Sequence, residues 1–260
     1  MKTSIQNLVL ALIFLSSCSV YDLTNLPPAD VNEIYQNALA DAVYPTDAKV
    51  DKNLFAISKD NPDLTWKTIN GEEYVLVVSW KGEEKWYKPP NVGPDNVYNT
   101  GTSHPVWVTA APQLLNWAKQ ETRLMKWVED GAIEQVNSRL KQLLGLPPNP
   151  GNPYNYFVEF WVNPSDLFRP CPDREIDDNE CEACNATDTT FQTWINDTRN
   201  ARYYDTCELL DRYPWTALGY TYDWSPANKT HRGMSEYVIH NNANIIVNKI
   251  YTTEAYLKQQ

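Results

Sequence analysis

Four of the five cysteines, Cys171, Cys181, Cys184 and Cys207, fall in one region of this chain. Sulfur so concentrated either oxidises in pairs or holds a soft metal. Two disulfides could be drawn in three ways; Cys171–Cys181 with Cys184–Cys207 is favoured, because the loop 172–180 closes easily and Cys181 lies too near Cys184 to pair without strain. A four-cysteine zinc site is the rival, since Cys181-x-x-Cys184 has the right spacing. Inside the same region Asp173, Glu175, Asp177, Asp178, Glu180 and Glu182 offer enough oxygens for calcium. They lack the turn glycine and spacing of an EF-hand, so they read first as a solvated acidic loop tied down by disulfides. His104, His231 and His240 are the only histidines. None stands at ligand spacing from another ligand type, and each reads as a surface or hydrogen-bonded residue.

The aromatic load is high, with 10 Trp and 16 Tyr. Trp86, Tyr87 and Tyr98 in one loop and Tyr220, Tyr222 and Trp224 on one strand face form a candidate platform for stacking a glycan or peptide. There is no H-E-x-x-H, no phosphate loop, no G-x-S-x-G and no dinucleotide fingerprint, and the residues alone indicate no cofactor.

The elements that must position these groups follow from periodicity. Residues 211–251 hold three strand-like runs, Leu218–Trp224, Ser235–Ile239 and Asn244–Tyr251, the last two joined as a hairpin through Asn241 and Asn242. A helix is predicted over Asp30–Val43 with an Asp30/Glu33 capping box. Strands follow at Leu54–Ile57, Leu64–Ile69 and Glu73–Trp80, with Asn70-Gly71 as a type I′ turn. Residues 81–103 form a long ordered loop, a candidate cleft rim. A strand over Val106–Ala110 leads into a helix from Pro112 to Gln120, and one further helix runs from Leu124 to Leu144 before the stop at Gly145. Tyr154–Val162, apolar on both faces, is an interior strand, and Thr190–Arg202 is a short helix showing Phe191, Trp194 and Ile195. The fold class is α+β: residues 30–260 form a single domain with an antiparallel or mixed sheet, hairpins, about four helices and a disulfide-tied loop region.

Lys2 and the apolar run Leu8–Leu15 precede Leu15-Ser16-Ser17-Cys18, which resembles the lipobox of bacterial lipoproteins. The run is far shorter than the ~20 residues of a membrane-spanning helix. The resemblance implies a signal peptide over 1–17, acylation of Cys18 by chains such as palmitate, a tether over 18–29 and residence in the cell envelope as an outer-membrane lipoprotein. Removing the signal takes one lysine and no acid from 22 basic and 33 acidic side chains, moving the net charge from −11 to −12. Nucleic acid is therefore excluded as a partner; the lipid bilayer is the expected one.

Two further resemblances bear on the body. Glu236-Tyr237-Val238-Ile239 followed by Ile245-Ile246-Val247 resembles the closing strands of ADP-ribosyltransferase-like domains. That likeness implies Glu236 as a catalytic acid that steadies the ribosyl cation of NAD, with Thr109 on the hydroxyl-bearing strand. The phrases at 167–173 and 213–224 resemble an uncharacterised family of exported bacterial proteins, which implies one domain and no mechanism. The expectation is an envelope-anchored binding or interaction domain, with the Glu236 enzyme and a glycan-binding module as alternatives.

Overall fold

The computed structural model describes residues 22–102, 105–149, 151, 153–183 and 188–259. The signal segment, Cys18, His104 and Cys184 lie outside them. In chain order the elements are α1 (Pro28–Ala42), β1 (Trp66–Ile69), β2 (Glu72–Lys81), β3 (Val97–Asn99), β4 (Val106–Ala110), α2 (Ala111–Gln120), α3 (Thr122–Glu129), α4 (Ile133–Leu143), β5 (Tyr156–Val162), β6 (Leu167–Phe168), α5 (Thr189–Tyr203), β7 (Tyr220–Tyr222), β8 (Arg232–Ser235), β9 (Tyr237–Ile239), β10 (Asn244–Thr252) and α6 (Thr253–Leu257). The chain is thus a single α+β domain with an antiparallel sheet.

The strand order is β3-β10-β5-β2-β4-β9-β6, with β1 paired to the first half of β2 and β7–β8 forming a separate ribbon. β5 lies inside the sheet because it is apolar on both faces and needs cover on each. Asn70 and Gly71 both take positive φ, 53° and 87°, so the β1–β2 turn is the one their residue types demand.

The expected hairpin after Ser235–Ile239 does not form. Residues 240–243 do turn, with the Ala243 N–H donating to His240 O, but β9 and β10 are separated by β4, β2 and β5. Strands four places apart in a flat sheet would lie about 19 Å apart, too far for so tight a turn. The sheet must curl, and the contact of residues 240–243 with Thr100 and Gly101 closes the curl.

Inside the curl pack Val75, Val77, Val108, Phe160, Ile239 and Ile245, roofed by Tyr87 and Val92 of the long loop. The outer face is covered in two patches. Helices α2, α3, α4 and α6 bury Leu114, Leu124, Leu140 and Tyr256 against Val78, Trp80 and Phe157. Helices α1 and α5 bury Tyr35, Leu39, Phe191 and Ile195 against Trp215, Trp224 and Val238.

Several boundaries differ from the sequence reading. The helix expected over 124–144 is two, because Gly131 (φ 70°) ends α3 and the Ala132 N–H returns to Trp127 O. Gly145 (φ 63°) stops α4 as expected, with Leu146 N–H on Lys141 O. Helix α1 starts earlier, on Pro28, and has no side-chain cap, so the Asp30/Glu33 box is not used. Leu23 is 3% exposed and packs in one cluster with residues of α1 and α5, so the expected tether from Leu23 onward is part of the body. Residues 54–57 form no strand. Their backbone instead donates singly, from Leu54 N–H to Asn179 O and from Ile57 N–H to Ile176 O.

Cys171 is bonded to Cys181 as expected; Cys207 is exposed and has no bond among the described residues, and its expected partner Cys184 lies outside them. No His, Cys, Asp and Glu cluster suited to a metal occurs among the described residues. The acidic loop is instead gathered by Arg169. This fully buried guanidinium pairs with Asp178 and donates to the carbonyls of Ile176, Asp178 and Glu180. No helix among the described residues is long and apolar enough to cross a membrane.

Candidate functional site

Glu236 occupies the single residue between β8 and β9, where the chain leaves the ribbon and enters the large sheet. Its N–H donates to Gly219 O at 2.9 Å, so it serves both sheets. Tyr237 and Ile239 face the inside of the curl and Val238 the outside. Alternation therefore turns Glu236 outward, toward the gap between the two helical patches. β4 pairs Trp107 with Val238 and Val108 with Tyr237, and one further step of that register sets Thr109 opposite Glu236. Beneath them runs a polar line: Thr109 Oγ1 donates to Gln113 Oε1 at 3.3 Å, and that oxygen accepts the Ser235 N–H at 3.2 Å.

The gap is a cleft of about 350 Å³. Its floor is the outer face of β2, β4 and β5 with Thr109 and Trp107; its opposite wall is Arg202 from the last turn of α5 with Tyr213 and Trp215. That wall is pinned. Tyr213 N–H donates to Arg202 O at 3.1 Å, Tyr203 Oη–H to Trp215 O at 2.7 Å, and Tyr35 Oη–H to Arg212 O at 2.6 Å. Bonds from three different elements fix the guanidinium's root and both aromatic neighbours.

Besides its tyrosines the cleft is lined, among the described residues, by Glu236, Lys81 and Arg202, and enclosure acts on the first two strongly. Desolvation pushes the Glu236 carboxyl up to about 8, against a smaller opposing pull from Arg202. Desolvation alone lowers Lys81 to about 8. Two groups driven toward one another's range in one cleft are a recognised mark of a working site. The Arg202 guanidinium lies 5.3 Å from the Trp107 ring centre and 4.9 Å from that of Tyr213.

Glu236 and Thr109 thus come together on one wall of the cleft. The aromatic platform does not assemble. Tyr87 and Tyr98 pack on each other and on the inner core, and Trp224 is 2% exposed with its indole N–H on the carbonyls of Lys141 and Leu146. Tyr220 and Tyr222 are likewise buried, although both touch the cleft, and of the six only Trp86 is largely exposed. Aromatics at period 2 were core here because the ribbon is covered by α1, α4 and the loop at 47–51. His231 stacks on Tyr222 with Nδ1 against Asp223 O, a hydrogen-bonded structural role; His240 lies against Phe168.

Arg202, Lys81 and Tyr213 were not singled out from sequence. One signal for Arg202 was present: it falls seven residues after Ile195 and so lies on the apolar stripe of α5, an unusual place for a charge. Comparison of the chain with protein-family models, with curated proteins and with solved structures finds no match.

Proposed function

We propose that the protein is an envelope lipoprotein whose body is a binding domain, with the cleft beside Glu236 as its ligand site. The observation that carries the reading is the cleft itself. Its volume suits a small ligand, eight of its 22 lining residues are aromatic, and a few polar groups converge on it. Such walls suit the face of a sugar ring or a peptide side chain. The Leu15-Ser16-Ser17-Cys18 motif supports the anchor. Three residues lie between Cys18 and the first described residue, Asp22, a reach of at most about 14 Å, which would hold the body close to the bilayer. A photoreactive fragment library tests the site: labelled peptides should contain Trp107, Tyr213 or Glu236, and labelling confined to other peptides would refute it. Mass spectrometry of membrane-extracted protein should find an acylated Cys18 as the first residue; an intact Met1 would refute the anchor.

A second reading keeps Glu236 as the catalytic acid of an ADP-ribosyltransferase-like enzyme acting on NAD. The β4/β9 register supports it by bringing Glu236 and Thr109 together. Steadying a ribosyl cation needs an ionised carboxylate, so this reading predicts NAD turnover that rises with pH through about 8. Glu236→Gln should abolish it without lowering the melting temperature; turnover that survives the substitution would end this reading.

A further inference from the structure

The charge of the cleft is one-sided. Among the described residues Arg202 has no carboxylate within ion-pair distance and no hydrogen-bond acceptor for its guanidinium; its electrostatic partners are Glu236 and Tyr154. Lys81, on the same cleft, also lacks an ion pair among them. The indole N–H groups of Trp107 and Trp215, both in the cleft wall, are buried without an acceptor, and Trp215 is only 6% exposed. An unmade hydrogen bond of a buried donor costs about 1–3 kcal/mol, and these indoles supply two of the eight buried side-chain polar atoms without a partner among the described residues. Glu236 is the one carboxylic side chain on the wall. Its enclosure keeps it protonated below about pH 8, so it adds another donor and does not neutralise Arg202. Burial raises Tyr154, Tyr220 and Tyr222, which also line the cleft, so they are neutral in that range and add no charge. The two cationic side chains of the lining outnumber its single carboxyl among the described residues, and the guanidinium lies within 5.3 Å of the Trp107 ring centre and 4.9 Å of that of Tyr213.

We infer that the ligand of this cleft is a small ring-bearing acid, a carboxylate or phosphate, whose anionic group seats on Arg202 while its ring lies against Trp107 and Tyr213. The inference rests on the cleft being the ligand site. Arg202 supplies the planar fork that carboxylates and phosphates match. Lys81 adds charge, and protonated Glu236 donates one further hydrogen bond to the acid. The anion completes what the chain leaves open.

Matched pairs test this by calorimetry on the full chain in detergent: benzoate with benzamide, glucuronate with glucose, and phenyl phosphate with phenol. At pH 7 the acid of at least one pair should bind roughly tenfold or more tighter than its neutral partner. The pair with the widest gap tells carboxylate from phosphate. Arg202→Met, which keeps the stem against the rings, should erase the gap at unchanged melting temperature, and Arg202→Lys should restore part of it. Neutral members that bind as tightly as the acids, or acids indifferent to Arg202→Met, would overturn the inference and leave the cleft reading standing. Absence of binding in every pair, with fragments still labelling the cleft, would do the same. Fragments that label no cleft peptide would remove both.

Discussion

Arg139 and Arg202 are the same side chain in nearly the same bedding. Arg139 lies 5.0 Å over Trp117, and Arg202 lies 5.3 Å from Trp107. They differ in what faces them. Arg139 makes two bonds to Asp223, at 2.9 and 2.8 Å, with the pair 6% and 1% exposed. Asp223 also accepts from Asn228 Nδ2 and the Ser225 N–H. Every charge there is answered within the chain, which is what a fastener between α4 and the β7–β8 ribbon requires. At Arg202 the chain supplies the aromatic seat and withholds the anion. The difference separates a cation that holds the fold from one held ready for something else.

The largest expected effect tests the fastener. Asp223→Ala leaves Arg139 buried and unpaired, and urea denaturation should show a loss of about 3–5 kcal/mol. Arg202→Met should cost no more than about 1 kcal/mol; equal losses would erase the distinction between the two arginines. Replacing Cys171 and Cys181 together by Ala should cost about 2–4 kcal/mol, because the bond closes the loop gathered around Arg169. A loss near zero would mean that Arg169 alone organises that loop.

A pH series sharpens the other side of the comparison. Between its ordinary 4.5 and about 8, the folded chain keeps a proton on Glu236 that the unfolded chain has released, so stability falls as pH rises through that window. Between about 8 and its ordinary 10.5, the unfolded chain holds the extra proton on Lys81, so stability rises with pH. Melting temperatures against pH should show Glu236→Gln flattening the first limb and Lys81→Met the second. The smallest effect is Trp86→Ala, at an exposed site away from both arginines, where the change should stay within about 0.5 kcal/mol.

Much of the frame was readable where local chemistry decides it. Asn70-Gly71 dictated its turn, Gly145 its stop, and the short loop from Cys171 to Cys181 its bond. What failed depended on partners remote in sequence. Asn241 and Asn242 announce a turn but not which strands it joins, so a link across a curled sheet was read as a hairpin. Ser235–Ile239 looks like one strand, because nothing in its pattern shows that Ser235 pairs with Tyr220 while Tyr237 pairs with Val108. Glu236 and Thr109 could be marked by resemblance, but their meeting depends on that register. Arg202 carried its signal only once the stripe of α5 was laid out.

The one-residue step from β8 to β9 has a consequence for how this stretch can change over time. Inserting or deleting a single residue there would invert the faces of whichever strand yielded, sending Glu236 into the greasy interior or Tyr237 out to water. Length is therefore fixed across 232–239; the exposed turn around Lys229 and Thr230, by contrast, has slack to spare.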